Sequence, residues 1–179
     1  GDHRDLHSFP TRRSSDLKTL KKRGPDAAGL YLTPEVALVH RRLSVIDVEN
    51  GAQPMHFGKY VIVYNGEIYN TDEIRNELEG FGYKFDTHCD TEVVLKAYDK
   101  WGNESVKKLN GIFAYAIYDK KENSLFACRD RIGVKPFFYN KTKNTFSGEI
   151  LRTCTSRGRS AFCDFYLCLL FYRRSGIFL

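Results

Sequence analysis

Two runs of apolar, β-branched and aromatic residues set most of what this chain can fold into. They are KYVIVY at residues 59–64 and GIFAYAIYD at residues 111–119. Such runs mark buried strands. Between them lie two helical patterns. The first opens at Asn70, which can cap a helix, with Glu73 three residues on to close a capping box. Ile74 and Leu78 then fall four apart on one face, and Gly80 and Gly82 suit the exit. The second opens at Asp90 as its cap, carries Val94, Leu95, Tyr98 and Trp101 at helical spacing, and ends at Gly102. Beyond residue 119 the pattern becomes hairpins: SLFACRD returns along the 111–119 strand, and PFFY pairs with TFSGE across residues 140–144. Upstream, residues 29–32 and 35–40 read as short strands around Thr33-Pro34, and Gly24-Pro25 stops a preceding helix. Residues 17–150 therefore read as one domain of alternating helices, strands and hairpins.

Composition supports a packed domain. Of 179 residues, 42% are hydrophobic and 14% aromatic, enough for a sizeable core and against wholesale disorder. No stretch approaches the roughly 20 apolar residues of a membrane span, and no apolar signal segment stands at the N-terminus. The five cysteines, at 89, 128, 154, 163 and 168, are odd in number and irregularly spaced. That pattern predicts a reduced, cytoplasmic setting rather than a disulfide framework.

The net charge of +6 is unevenly placed. Residues 151–179 hold five arginines, one aspartate and no lysine, so most of the basic excess sits there. This segment is expected to be a C-terminal tail outside the domain. Its apolar stretch at 161–172 reads either as a short membrane-surface helix or as a foreign tail with no designed partner. Residues 1–16 are expected to be an N-terminal tail, disordered or artefactual, and DLHSFPTRRSSDL resembles a translated sequencing adapter. A basic nucleic-acid or membrane-surface protein is thus one reading of the charge, and a weak one, because the middle segment is nearly balanced.

Four clusters could carry chemistry: residues 23–26 (RGPD), 40–47 (HRRLSVID), 63–70 (VYNGEIYN) and 129–139 (RDRIGVKPFFY). Asn65-Gly66 after a buried strand offers a side-chain N–H and a backbone N–H that a ligand can approach, the parts of an oxyanion hole. The same pair is also a common turn. Arg42 follows a strand, and its fork suits a carboxylate, though it is equally a surface arginine. Asp90 could accept from an ammonium group or simply cap its helix. Arg129-Asp130-Arg131 reads as a structural ion-pair network. No metal-ligand spacing and no Gly-rich phosphate loop is present, so neither a metal site nor a nucleotide cofactor is expected on this chain.

Together, in this order, RGPD, RLSVID, YNGEIYN, CDTEV, LNGIFAYAIYD and RDRIGVKPFFY resemble the glutaminase domain of asparagine synthase, a class II glutamine amidotransferase. The resemblance covers residues 17–150. It implies an α+β fold, the αββα sandwich of the N-terminal-nucleophile hydrolases, here incomplete at the first strand. It implies hydrolysis of glutamine to glutamate and ammonia for asparagine formation. By resemblance Arg42 holds the substrate α-carboxylate, Asp90 and Glu67 help hold the α-ammonium group, Asn65 and Gly66 form the oxyanion hole, and Leu43, Ser44, Val45 and Ile46 line the glutamine site. ATP and Mg²⁺ would belong to a synthetase domain that this sequence lacks, often in a homodimer, with no nucleic acid or membrane as partner. The family's nucleophile is an N-terminal Cys whose free α-amine serves as base. Here residue 1 is Gly and no cysteine precedes Cys89. Cys89 has no free α-amine, so the chain as written is expected to be inactive, with a non-catalytic glutamine-binding module as the alternative.

Overall fold

The computed structural model describes residues 27–42, 52–142, 145–152, 163–172 and 177–178. The tail at residues 1–16, where the fold is expected to be incomplete at its first strand, lies outside these residues.

The first described element is a hairpin, β1 (Ala27–Leu32) and β2 (Val36–Arg42), antiparallel with Gly29 opposite His40. Thr33 makes the turn: its Oγ1 accepts from the Glu35 and Val36 N–H groups at 3.2 and 3.1 Å, as a short hydroxyl side chain does in a turn. The next strands are β3 (Met55–Phe57) and β4 (Tyr60–Ile68). Two helices follow, α1 (Thr71–Gly80) and α2 (Asp90–Trp101), then a 3₁₀ turn and the short α3 (Ser105–Lys108). Two hairpins come next: β5 (Gly111–Asp119) with β6 (Ser124–Arg129), and β7 (Phe137–Lys141) with β8 (Thr145–Arg152). The last elements are β9 (Cys163–Tyr172) and β10 (Ile177–Phe178).

The strands form two five-stranded sheets, in the orders β1-β2-β9-β8-β7 and β10-β6-β5-β4-β3. Alternation along β4 shows how they stack. Val61 and Val63 join a core with Val36 and Leu38 of β2 and Phe146 and Ile150 of β8. Ile62, Tyr64 and Ile68 join a second core with Ile74 and Leu78 of α1 and Val93, Val94 and Leu95 of α2. Thus one face of β4 meets the other sheet and the opposite face meets the helices, as a side-chain period of two requires. Each fully buried aliphatic side chain contributes about 2 kcal/mol by leaving water, and Leu38, Ile62, Leu78 and Leu95 are all fully buried. Helix, sheet and sheet are therefore layered as the α+β expectation requires.

Four local expectations are corrected. Asn65-Gly66 is not a turn, because β4 runs through both to Ile68. Asn70 holds the N-cap position, and its carbonyl accepts from the Ile74 N–H at 3.2 Å, but its side chain does not cap the helix: Nδ2 donates to the Lys108 carbonyl at 3.0 Å and Oδ1 accepts from Asn110 N–H at 2.9 Å, which ties α1 to the start of β5. Asp90 is the first residue of α2 rather than its cap, and that position falls to Cys89, which makes no side-chain capping bond. Finally, the apolar stretch at 161–172, read as a helix or an unpartnered tail, contains a ten-residue strand lying between β2 and β8. Leu169 stands opposite Leu38 on one side and Gly148 on the other. An apolar run with no polar interruption except Asp164 has no period to separate helix from strand, and two open sheet edges decide it.

Candidate functional site

β4 carries the centre of the site. On one side it pairs with β5 along its whole length, Tyr60 with Asp119 through Ile68 with Gly111. On the other side β3 reaches only to the Met55–Ile62 pair. Beyond Ile62, no described strand pairs with this edge of β4. Two side chains cap it. The Tyr64 N–H donates to Gln53 Oε1 at 2.6 Å, and the Ile68 N–H donates to Asp90 Oδ2 at 3.3 Å. N–H groups alternate between the two edges of a strand, so the Gly66 N–H points from the same open edge, midway between the capped ones.

Gly66 has to be glycine. A Cβ there would lie 2.4 Å from the Ile112 carbonyl oxygen and 2.7 Å from Phe113 Cβ, far inside contact distance. The strand pair is pinched at this point, since a Cβ on Gly111 would likewise stand 2.2 Å from the Glu67 carbonyl oxygen. The two glycines let β4 and β5 approach where a side chain would force them apart.

Asn65 shares the strand face of Val61 and Val63, which look toward the other sheet. It is buried, and its Nδ2 has no hydrogen-bond partner among the described residues. A buried amide N–H left unpaired costs about 1–3 kcal/mol. The Gly66 N–H on the open edge likewise has no partner among the described residues, so the two donors are available to an incoming oxygen. Glu67 follows on the same strand face and is exposed.

Asp90 supplies negative charge beside these donors. Its Oδ2 accepts from Tyr64 Oη at 2.5 Å as well as from Ile68 N–H. Burial pushes the Asp90 carboxyl above its ordinary range, and the bonds from Tyr64 and from the Ile68 and Thr91 backbone pull partly against that. Tyr64 is itself buried; burial first and the neighbouring Asp90 charge second raise its phenol well above the ordinary value, so it stays a neutral donor. A cation arriving at Asp90 would favour the ionised carboxylate.

The segment leading into Asp90 is fixed by a buried ion pair within α2. Glu92 Oε1 and Lys96 Nζ are 2.5 Å apart. Glu92 also accepts from the Asp86 N–H at 3.0 Å and from the Thr87 N–H and Oγ1 at 2.8 and 2.6 Å. Lys96 donates to the Lys84 carbonyl and lies over the Phe57 and Phe85 rings. Burial would push the Glu92 carboxyl up, but Lys96 and Thr87 outweigh it and hold it low. Cys89 Sγ lies 2.9 Å from Thr87 Oγ1.

The structure brings Asn65, Gly66, Glu67 and Asp90 to one end of β4. Arg42 is the last residue of β2, with its Cα opposite Ala27, in the sheet that faces β4. Leu43, Ser44, Val45 and Ile46 lie outside the described residues. Asp130, read as part of an ion-pair network, is held by backbone donors, Val134 N–H at 2.8 Å and Lys135 N–H at 2.9 Å. Arg131 donates to the Lys107 carbonyl at 2.9 Å. These contacts shape the 130–135 loop rather than the site. Sequence reading missed Gln53, and it included Tyr64 in the 63–70 cluster without giving it a role. The clue to Tyr64 was parity: on the helix-facing side of β4 its hydroxyl needed a partner. Among the described residues no three His, Cys, Asp or Glu converge as metal ligands, and no helix is long and apolar enough to cross a membrane.

Known proteins share both sequence and fold with this chain. It is 49% identical over 132 residues to asparagine synthetase [glutamine-hydrolyzing] 3 of Bacillus subtilis (strain 168), a match covering 72% of this chain and 22% of that protein. It is 39% identical over 123 residues to asparagine synthetase B [glutamine-hydrolyzing] of Escherichia coli (strain K12), covering 68% and 22%. The chain thus matches less than a quarter of the length of these curated relatives. The fold matches the glutamine phosphoribosylpyrophosphate amidotransferase of B. subtilis with a TM-score of 0.57 at 19% identity, over 88% of this chain and 40% of that one, which establishes the sandwich architecture. The glutamine amidotransferase domain family matches residues 5–158, and with most of the chain inside that match, the protein belongs to the glutamine amidotransferase domain family.

Proposed function

We propose that this chain is the glutaminase domain of a glutamine-hydrolysing asparagine synthetase. The observation that carries the reading is the open edge of β4. It presents the Gly66 N–H, and beside it an Asn65 Nδ2 with no partner among the described residues, with the Asp90 carboxylate two residues further along at Ile68. Two residues of strand span about 7 Å, the order of an extended glutamine from side-chain amide to α-ammonium. A carbonyl oxygen seated between the two donors gains most when attack on the amide turns it into an oxyanion, because donors already in place need no reorganisation. Asp90, with Glu67, holds the α-ammonium group at the other end. By the family resemblance alone, Arg42 is assigned to the α-carboxylate and Leu43, Ser44, Val45 and Ile46 to the lining of the glutamine site.

The nucleophile in this scheme is a cysteine thiol with a free α-amine as base. Within residues 1–179 no cysteine precedes Cys89, and an internal Cys89 carries no α-amine. The 179-residue polypeptide therefore holds glutamine without cleaving it. On this reading, use of the released ammonia falls to an ATP- and Mg²⁺-dependent synthetase domain outside these residues, in a reducing cytoplasm.

Calorimetry and ammonia release test the reading together. Glutamine should give a binding heat at millimolar concentration, and asparagine, one methylene shorter, a much weaker one. Ammonia should not accumulate. No heat with millimolar glutamine would remove the site assignment, and turnover that survives Cys89→Ser would overturn the account of the missing nucleophile.

A further inference from the structure

Gln53 stands at a junction that the proposed chemistry does not itself use. Its Oε1 accepts the Tyr64 N–H at 2.6 Å, and its Nε2 donates to Thr91 Oγ1 at 3.3 Å. Its backbone carbonyl is seated against Gly29 of β1, where an added Cβ would fall 1.7 Å from the oxygen. One residue thus joins the first hairpin, the open edge of β4 and the first turn of α2. We propose that Gln53 is a positioning residue of the glutamine site: it closes the β4 edge at Tyr64 and fixes the start of α2, leaving Gly66 as the free donor and setting Asp90 opposite Ile68. This rests on the reading of the β4 edge as a glutamine site.

The geometry explains why an amide is suited to the task. The edge at Tyr64 needs an acceptor for its N–H, and Thr91 Oγ1 can take a donor. A primary amide offers both from one planar group. A carboxylate would keep the first bond and would need the Thr91 hydroxyl to turn and donate for the second. A leucine of similar size would keep neither and would leave the Tyr64 N–H without its acceptor at the open edge. Water entering there would compete for the edge next to Gly66, and Asp90, one residue before Thr91, would lose a support on its own helix.

The test uses the 179-residue chain with Gln53→Leu, Gln53→Glu and Gly29→Ala. Two readouts are taken: the glutamine affinity by calorimetry, and backbone amide exchange at Tyr64 and Ile68. Gln53→Leu should weaken glutamine binding about tenfold or more and speed exchange at both amides by about as much, while Ile62, on the β3-paired part of the strand, stays protected. Gln53→Glu should stay within about threefold of the parent, because the Tyr64 bond survives. Gly29→Ala, which displaces the Gln53 carbonyl without touching its side chain, should move both readouts the same way as Gln53→Leu. Unchanged affinity and exchange in Gln53→Leu, or in Gly29→Ala if the leucine variant does not fold, would overturn the positioning role. A parent that binds no glutamine would remove the site reading instead; unchanged Tyr64 and Ile68 exchange in the variants would then remove the role of Gln53 as well, and faster exchange would keep it as the residue that orders this edge.

Discussion

The two sheets are built from the same kinds of strand but assembled by different routes. In the second sheet β3, β4, β5 and β6 are neighbours in the order the chain supplies them, with only β10 added from afar. In the first sheet β2 and β8 never pair with each other, and β9, from near the end of the sequence, lies between them. The site sits at the open edge of the locally assembled sheet. Its precision therefore depends on short-range pairings, whereas the integrity of the facing sheet depends on one remote strand.

A proline at the centre of β9 tests that dependence most severely. Leu169→Pro removes a ladder donor in a strand paired on both sides, and should cost about 3 kcal/mol or more in denaturant unfolding. Amide exchange should rise first along β2 and β8 while β4 and β5 stay protected. Equal loss in both sheets would erase the contrast drawn here.

The helix layer of the second sheet offers the matching perturbation. Lys96→Met leaves Glu92 buried without its cation and should cost about 3 kcal/mol. The pH dependence has a definite sign. Glu92 is held below its unfolded value, so its contribution is present above the unfolded carboxyl range and is lost as pH falls through the lower, folded value. The parent should therefore lose stability in acid more steeply than the methionine variant, and parallel acid profiles would show that Lys96 does not hold Glu92 low.

Gly66→Ala should cost about 2 kcal/mol through overpacking against the Ile112 carbonyl and Phe113, and it should abolish the glutamine heat. If the alanine variant binds glutamine as the parent does, the close pairing of β4 with β5 does not set the site. The smallest effect is expected at Asp90. Burial disfavours its ionised form, so the charge costs stability at neutral pH, and that cost disappears as pH falls below the unfolded carboxyl range. Asp90→Asn should raise the melting temperature by about 2 °C while removing glutamine binding. A lower melting temperature would mean that the carboxylate holds the fold as well as the ligand.

The contrast also explains what the sequence disclosed. Residues 59–64 and 111–119 declared their strands because Val61, Val63, Ala114 and Ala116 pack between the sheets while Ile62, Tyr64 and Tyr115 pack under helices, so both faces are apolar. Ile74 and Leu78 declared α1 by their spacing, together with the cap and exit signals at Asn70 and Gly80. Residues 163–172 could not declare a strand, because their form is set by the edges of β2 and β8. Asn65 and Gly66 were legible as donors, but their place inside a strand was not. The pinch that keeps β4 extended there comes from Ile112 and Phe113, distant in sequence. Asp90 looked like a cap for the same reason. Its partner, the Tyr64 hydroxyl, is visible only once α2 is laid across β4.

The position of β9 also sets a schedule. During synthesis the strands from β3 to β6 can pair as they emerge, but β2 must wait for a neighbour more than a hundred residues downstream. At about 5–20 residues per second that wait is on the order of ten seconds. Through that interval the β1–β2 hairpin keeps one edge unpaired, open to any other strand it meets. Crowding of nascent chains on one message, rather than heat or acid, is the condition under which this sheet is most exposed to mispairing.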